Sequence, residues 1–210
     1  MIFFTFVFLF VMNFIRIFDN GILPALTTTL KEDYNLTNLQ IGSLGSLVYI
    51  GEVTGSLIAM PVYQKVSVKA VLLSCIVLQS VVILGFAFSK GNFEVMALSR
   101  FFTGVFQVFI SIFAPCWCDC HAPENSKTTW ITSLMVATPA GMVTGYLLTA
   151  VIISSGGQWE ISFFLQVFLL IPIAIYIGSI DKKFLDLLSF NQEVVEQEDQ
   201  ADDSNLSSTD

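Results

Sequence analysis

Four charged side chains interrupt stretches of sequence that are otherwise almost entirely apolar. The first stretch contains NFIRIFDNG, with Arg16 and Asp19 three residues apart, and Glu52 and Arg100 stand in two later stretches. Charges inside a membrane normally face a bundle interior or a water-filled path, where they bind ions, protons or substrates. We therefore predict that all four bind a substrate or a coupling ion. The alternative is a buried charge network that only fixes helix register.

The chemistry expected of each charge follows from its type. Desolvation disfavours the charged form of a carboxyl group and a nearby arginine favours it, so the group can change protonation state as its surroundings open. Asp19 and Glu52 are accordingly the predicted proton-coupling groups. Arg100 is the predicted ligand for an anionic group of a substrate or for a carboxylate. Arg16 is the fourth charge that we predict to bind a substrate or a coupling ion.

The depth of each charge in the membrane predicts which charges pair. At ~1.5 Å per helical residue, Asp19 and Arg100 lie about 12 and 9 Å below the outer face. Arg16 and Glu52 lie about 16 and 18 Å below it. This sorting predicts the couples Asp19–Arg100 and Arg16–Glu52. Arg16 and Asp19, three residues apart on one helix, could instead pair with each other.

Composition determines the class of protein that must position these charges. The 210 residues are 54% hydrophobic and only 12% charged, against about 25% charged in soluble domains. Six apolar segments, each long enough to cross a bilayer, cover roughly 2–27, 40–63, 70–88, 92–115, 128–153 and 160–180. Soluble helices would carry a polar stripe, which the third and sixth segments lack. We predict an all-α membrane protein with six transmembrane helices. The first segment lacks the basic n-region of a signal peptide and is expected to remain as a helix.

Basic residues and the acidic end of the chain predict topology and domain organisation. With a cytosolic N-terminus, five lysines lie inside and two outside, which favours cytosolic termini: Lys65, Lys69, Lys127, Lys182 and Lys183 against Lys31 and Lys90. The net charge of −8 arises almost entirely from the acidic C-terminal end, so it says nothing about nucleic acid, and no nucleic-acid partner is expected. We predict a transmembrane domain over residues 1–184 and a disordered acidic cytosolic tail over 185–210. The sequence does not tell which cellular membrane is spanned.

Small residues recur every four positions in the second and fifth segments. Such stripes let helix backbones approach closely in lipid, and they predict a helix-packing interface that includes Gly51, Gly55, Gly141 and Gly145. The stripes pack either within the six-helix unit or against a second half or a second copy.

The run PCWCDCH at residues 115–121 brings three cysteines next to the chain's one histidine. Alternate positions on a helix do not share a face, and zinc sites use wider ligand spacing. We therefore predict interfacial thiols or acylation rather than a metal site. Metalloprotease, nucleophile-elbow and phosphate-loop motifs are missing from the sequence, so no cofactor and no enzymatic activity are expected.

Several short motifs, taken in order, resemble the N-terminal half of a major facilitator superfamily transporter. They are QKVSVK (64–69), SRFFTG (99–104), TPAGMVTGY (138–146) and GGQWEISFF (156–164). Gln64 and Val68 replace charged residues of the family's loop between helices two and three, and Glu160 replaces the arginine before helix six. NFIRIFDNGILPAL and GSLVYIGEVTGSL look closest to spinster-like or organic-anion branches.

The resemblance implies a fold, a function and a set of partners for this chain. It implies half of a major facilitator fold, a 3+3 inverted repeat, in which helices one and four line a central cavity and helices two and five face the other half. The implied function is secondary active transport of a small organic solute, for which Asp19 and Glu52 are the candidates for proton coupling. The alternative is a truncated, non-transporting membrane protein that acts by association with another membrane subunit. The expected partners are the lipid bilayer and the solute, and a second six-helix half or a second copy is the partner that the interface reading of the glycine stripes adds.

Overall fold

Every regular element in the described part of the chain is helical. The computed structural model describes residues 2–181 and Leu185. The helices, in chain order, are α1 (Ile2–Arg16), α2 (Phe18–Ala25), α3 (Thr27–Tyr34), α4 (Asn38–Lys65), α5 (Val68–Ala87), α6 (Phe93–His121), α7 (Lys127–Ser154) and α8 (Glu160–Ser179), with a 3₁₀ turn at Glu124–Ser126.

Six stretches within residues 2–181 are long and apolar enough to cross a membrane. They are Ile2–Ala25, Asn38–Lys65, Val68–Ala87, Phe93–His121, Glu124–Ser154 and Glu160–Ser179. The prediction of six membrane-spanning helices is confirmed. The largest difference is at the end of the fourth span, where α6 continues through Pro115 to His121. The predicted tail lies outside the described residues except for Leu185, which is buried against the core.

The first membrane span is broken beside its two charges. It consists of α1 and α2, with the break at Ile17. In a continuous helix the N–H of Asn20 would bond to the Arg16 carbonyl, four residues earlier. Here it donates to the Ile17 carbonyl at 3.1 Å. The Arg16 carbonyl is therefore available to side chains on other helices.

The ends of several helices are capped by their own sequence. Thr37 and Gln40 form a capping box at the start of α4, in which each side chain accepts from the other's backbone N–H. Asn92 caps α6 by accepting from the N–H of Glu94. Lys69 donates to the carbonyls of Gly178 (2.7 Å) and Ile180 (2.6 Å) at the end of α8. A positive charge at this position complements the negative end of the helix dipole, so this lysine ties α5 to α8.

The described residues form three apolar core clusters, and buried polar groups separate the two larger ones. The first span contributes Leu9 and Met12 to one cluster and Ile22 to the other, with the two charges between them. α5, α6 and α8 likewise contribute to both clusters and place buried polar residues in between. We call the following set the polar layer: Arg16, Asp19, Gln79, Arg100, Gln107 and Gln166.

The small-residue stripes pack inside this bundle. A Cβ atom added at Gly51 or Gly55 would collide with backbone carbonyls of α6. A Cβ at Gly141 or Gly145 would collide with the first span, at the carbonyls of Phe14 and Phe18. Of the two readings of the stripes, close packing within the six-helix unit is the one observed. The glycines of both stripes therefore lie against neighbouring helices of the same chain.

Candidate functional site

A buried ion pair joins the first membrane span to the fourth. The Asp19 and Arg100 side chains are 1% and 2% exposed, and Nη1 of Arg100 lies 3.1 Å from Oδ2 of Asp19. The same nitrogen donates to the backbone carbonyl of Asp19 at 3.3 Å. The predicted pairing of Asp19 with Arg100 is confirmed. Because both groups are withdrawn from solvent, each depends on the other for compensation of its charge.

Two glutamine amides hold the other oxygen of the carboxylate. Oδ1 of Asp19 accepts from Nε2 of Gln107 at 2.7 Å and from Nε2 of Gln166 at 3.3 Å. Both glutamine side chains are fully buried. Asp19 is therefore bound by donors from two helices, α6 and α8, in addition to the arginine. An acceptor-rich carboxylate is well satisfied by this set of N–H groups.

Three glutamine amides also converge on the break in the first span. The Arg16 carbonyl accepts from Nε2 of Gln107 at 2.7 Å, of Gln79 at 3.3 Å and of Gln166 at 3.4 Å. A backbone carbonyl that has lost its helical partner inside a membrane must find donors elsewhere. The polar layer supplies them from α5, α6 and α8, and thereby stabilises the break.

Arg16 does not form the ion pair that its depth predicted. Its Nε donates to Asn13 at 3.2 Å and its Nη2 to Ser111 at 3.1 Å. The two ion pairs among the described residues are Asp19–Arg100 and an exposed pair between Lys127 and Asp119. Glu52 lies close enough to attract Arg16 electrostatically but makes no direct contact with it. The predicted couple Arg16–Glu52 is wrong, as is pairing of Arg16 with Asp19.

Aromatic rings enclose the remaining sides of Arg100. The guanidinium carbon lies 4.6 Å from the centre of the Phe86 ring and 5.8 Å from that of Phe163. Such cation–π contacts stabilise the positive charge of an arginine that is removed from water. Trp159 packs edge-on against both phenylalanines. The aromatic residues of the GGQWEISFF motif thus close one side of the ion pair.

Donors and acceptors in the polar layer are only partly used. Nε and Nη2 of Arg100, and Nη1 of Arg16, have no hydrogen-bond partner among the described residues. The same holds for Oε1 of Gln79, Gln107 and Gln166. Unsatisfied buried polar atoms are costly and mark places where the hydrogen bonding can rearrange. The polar layer therefore has unused donors and acceptors that can bind a proton or a ligand, or form other hydrogen bonds in a second conformation.

Sequence reasoning missed the three glutamines. Gln79 lies in VLQSVV and Gln166 in FFLQVF, both uncharged interruptions of very apolar helices. The predicted site consisted of charged residues alone, and the family resemblance implied a cavity lined by helices one and four. A single polar amide in such an apolar run indicates a buried polar site, because the amide must face the bundle interior to find hydrogen-bond partners.

The cysteine run spreads its side chains around the end of α6. Cys116 is exposed, Cys118 is buried and Cys120 is intermediate, as expected for alternate positions on a helix. The ring of His121 stacks on that of Trp117 at 4.7 Å. The described residues contain no group of three metal-binding side chains.

A separate cavity opens between the end of α3 and the start of α8. Its volume is about 340 Å³, and Asp33, Tyr34, Trp159 and Glu160 are among its lining residues. Burial raises the pKa of Tyr34, and the carboxylates of Glu160 and Asp33 raise it further. The tyrosine therefore stays neutral at physiological pH, and the two carboxylates give this cavity a negative potential.

Comparison with known proteins places this architecture in a family. The fold and the polar layer define a helical membrane protein built around a buried ion pair. A profile of the Major Facilitator Superfamily matches residues 4–186. The chain belongs to that family, and its six spans correspond to half of the family's fold.

Three relatives give the range of similarity. The chain is 29% identical over 140 residues to the probable sphingolipid transporter spinster homolog 1 of Arabidopsis thaliana, an alignment covering 66% of this chain and 28% of the relative. Homolog 2 of the same plant is 26% identical over 147 residues, or 70% of this chain and 30% of the relative. The gentisate transporter of Corynebacterium glutamicum is 23% identical over 170 residues, or 79% and 38%. The predicted family and its spinster-like or organic-anion branch are confirmed, and the alignments span 28% to 38% of these relatives' lengths.

Proposed function

We propose that this chain forms the N-terminal six-helix half of a secondary active transporter for a small organic solute, with proton coupling at Asp19. The carrying observation is the buried Asp19–Arg100 pair, set in a layer of amides at a break in the first span. Asp19 is the described carboxylate that is fully buried and paired. Protonation would cancel its charge and release Arg100, whose unused N–H groups suit an anionic part of a solute.

The polar layer supports coupling because its charges are interdependent. With Asp19 charged, Arg100 is compensated and held between two rings. With Asp19 neutral, the arginine is a buried cation without a partner, which is strongly unfavourable until an anion or water reaches it. Proton binding and solute binding would therefore favour the same rearrangement.

Relatives suggest which solutes to test first. Two relatives are named as probable sphingolipid transporters and one as a gentisate transporter. The full-length protein should be reconstituted in liposomes and assayed with a labelled sphingolipid and with labelled gentisate, with and without a pH gradient. We expect the gradient to drive accumulation of one of them.

Substitutions test the role of the carboxylate in that assay. Asp19→Asn should abolish accumulation driven by the gradient. Asp119→Asn is the matched control, since it removes an exposed carboxylate from α6, outside the polar layer, and should leave uptake unchanged. Uptake by the Asp19→Asn protein that still follows the pH gradient would refute proton coupling at this residue.

A second candidate function is association with another membrane subunit, without transport by this chain alone. The supporting observation is that α4 and α7 present large apolar side chains on their outer faces, among them Val53, Leu57, Val143 and Leu147. These side chains contact lipid or a partner such as a second six-helix half or a second copy. Cysteines introduced at Val53 and Leu147 in a cysteine-free background should cross-link to the partner in native membranes. Failure to cross-link, together with solute uptake by the isolated chain, would exclude this candidate.

A further inference from the structure

We propose that Gln107 and Gln166 are positioning residues that respond to the protonation state of Asp19 and transmit it to the break in the first span. The inference rests on the proposed proton coupling at Asp19. It assigns to the two amides a role that the charges alone do not perform, and it predicts the direction of the conformational change.

The first step identifies the groups that can accept a hydrogen bond from protonated Asp19. Charged Asp19 needs donors, and Arg100, Gln107 and Gln166 provide them. Protonated Asp19 has a new O–H group, which needs an acceptor. Arginine has only donors, so it cannot serve. Among the side chains that hydrogen-bond the carboxylate, the two glutamines are the ones that can both donate and accept.

The second step is that the acceptors are already in place. Oε1 of Gln107 and Oε1 of Gln166 are buried, and neither has a hydrogen-bond partner within the described part of the chain. A turn of about 180° about the last side-chain torsion exchanges Nε2 and Oε1 in nearly the same volume. A hydronium ion from the bulk solution gives up a proton and becomes water, the proton forms an O–H bond on the carboxylate, and one turned amide accepts from the new O–H group. No other covalent bond changes.

The third step links the amides to the backbone. Nε2 of Gln107 donates at 2.7 Å to the Arg16 carbonyl as well as to Asp19. Nε2 of Gln166 donates to the Ile15 carbonyl at 3.2 Å. An amide that turns towards protonated Asp19 withdraws its N–H from these carbonyls and presents an oxygen instead. The Arg16 carbonyl then keeps only the donors of the glutamines that have not turned, Gln79 among them, and the Ile15 carbonyl loses its glutamine donor when Gln166 turns.

The fourth step gives the direction of the change. The N–H of Asn20 now donates to Ile17, three residues earlier. Returning it to the Arg16 carbonyl, four residues earlier, would replace the lost donor and restore regular helix. Protonation of Asp19 therefore favours a more continuous first span, and deprotonation favours the broken one.

Other charges around Asp19 are few. Arg100 on α6, Arg16 on α1 and Glu52 on α4 act on it electrostatically. α5, α7 and α8 each carry one charged residue, and each of those stands in the first two positions of its helix: Lys69, Lys127 and Glu160. The amides of α5 and α8 are therefore the polar contributions of those helices to the layer.

The test is an infrared titration of the Asp19 carboxyl in the full-length protein, with the band assigned by its loss in Asp19→Asn. Gln107→Met and Gln166→Met each remove an N–H donor to the carboxylate at nearly constant volume. Because a bond to a charged group outweighs one to a neutral group, the midpoint should move upward by about one pH unit. Gln79→Met is the matched control: Gln79 is equally buried, but among the described residues its amide hydrogen-bonds to the Arg16 carbonyl and not to Asp19, so the midpoint should not move.

Hydrogen exchange of the backbone supplies the second readout. Once the intrinsic pH dependence of amide exchange is divided out, peptides covering residues 13–21 should show different protection above and below the midpoint in the native protein and in Gln79→Met. This pH dependence should be lost in Gln107→Met. If Gln107→Met does not fold, Gln166→Met provides the same test.

The outcomes separate the inference from the proposed function. If no carboxyl band is lost in Asp19→Asn, Asp19 does not titrate, and both proposals fail. If the band titrates with the same midpoint in the native protein and in both Met variants, proton binding at Asp19 stands and the role of the glutamines is refuted. Equal shifts in all three Met variants would also refute it, because the effect would then be general loosening of the layer.

Discussion

Asp19→Asn is the sharpest probe of the polar layer because it changes one oxygen to an NH₂ group and one charge to zero. The new Nδ2 would replace Oδ2, which now lies 3.1 Å from Nη1 of Arg100, and two donors would then face each other. Arg100 would keep the Asp19 backbone carbonyl at 3.3 Å and the ring of Phe86. Breaking one side of a buried pair typically costs about 3–5 kcal/mol. We expect Asp19→Asn to fall in this range.

Arg100→Gln should be less damaging than Asp19→Asn. Removing the arginine leaves a carboxylate that still accepts from Gln107 and Gln166, and a carboxyl group can also neutralise itself by binding a proton. An arginine without its partner cannot become neutral in the same way, since it stays protonated in proteins. The structure therefore predicts an asymmetry between the two single substitutions, with the loss at Arg100 about 1–2 kcal/mol smaller.

The double variant measures the coupling directly. Asp19→Asn with Arg100→Gln removes both charges, so it should recover roughly 1–3 kcal/mol relative to the sum of the single losses. The assay is SDS-induced unfolding from mild detergent micelles, followed by circular dichroism. Glu52→Gln is the control for charge removal, and it should cost less than about 1 kcal/mol because Glu52 is only partly buried and makes no ion pair with any described residue. Additive losses would refute the pairing, and a larger loss at Arg100 than at Asp19 would refute the reasoning about proton escape.

Three further predictions concern packing, topology and the cysteine run. Gly145→Ala should destabilise the bundle by about 1–3 kcal/mol in the same unfolding assay, because its Cβ meets a backbone carbonyl; Gly42→Ala, where nothing lies within 4 Å, should be neutral or slightly stabilising. Both termini should be cytosolic, so protease added to intact cells should leave a tag after Asp210 uncut, and cleavage there would contradict the lysine distribution. Purified protein should contain well below one zinc per chain; a stoichiometric zinc lost when Cys116 and Cys120 become serine would overturn the reading of that run as thiols.

Much of the candidate site followed from local sequence properties combined with simple geometry. Asp19 and Arg100 were recognisable because a charge in an apolar segment is conspicuous, and their common depth follows from a fixed rise per residue. The same depth argument failed for Arg16 and Glu52. Depth constrains only one coordinate, and the rotation of each helix about its own axis decides whether two groups at one level meet. Arg16 points towards Ser111 rather than towards Glu52.

The sequence by itself determined the number and approximate limits of the membrane spans, because hydropathy and length are properties of a continuous segment. Tertiary structure decided everything that depends on which helices are neighbours. It turned the glycine stripes inward against backbone carbonyls. It also gathered amides from three separate helices at one break in the first span. No local pattern encodes that meeting, since a buried amide needs partners but its own sequence does not say where they are; the packing of the whole bundle supplies them.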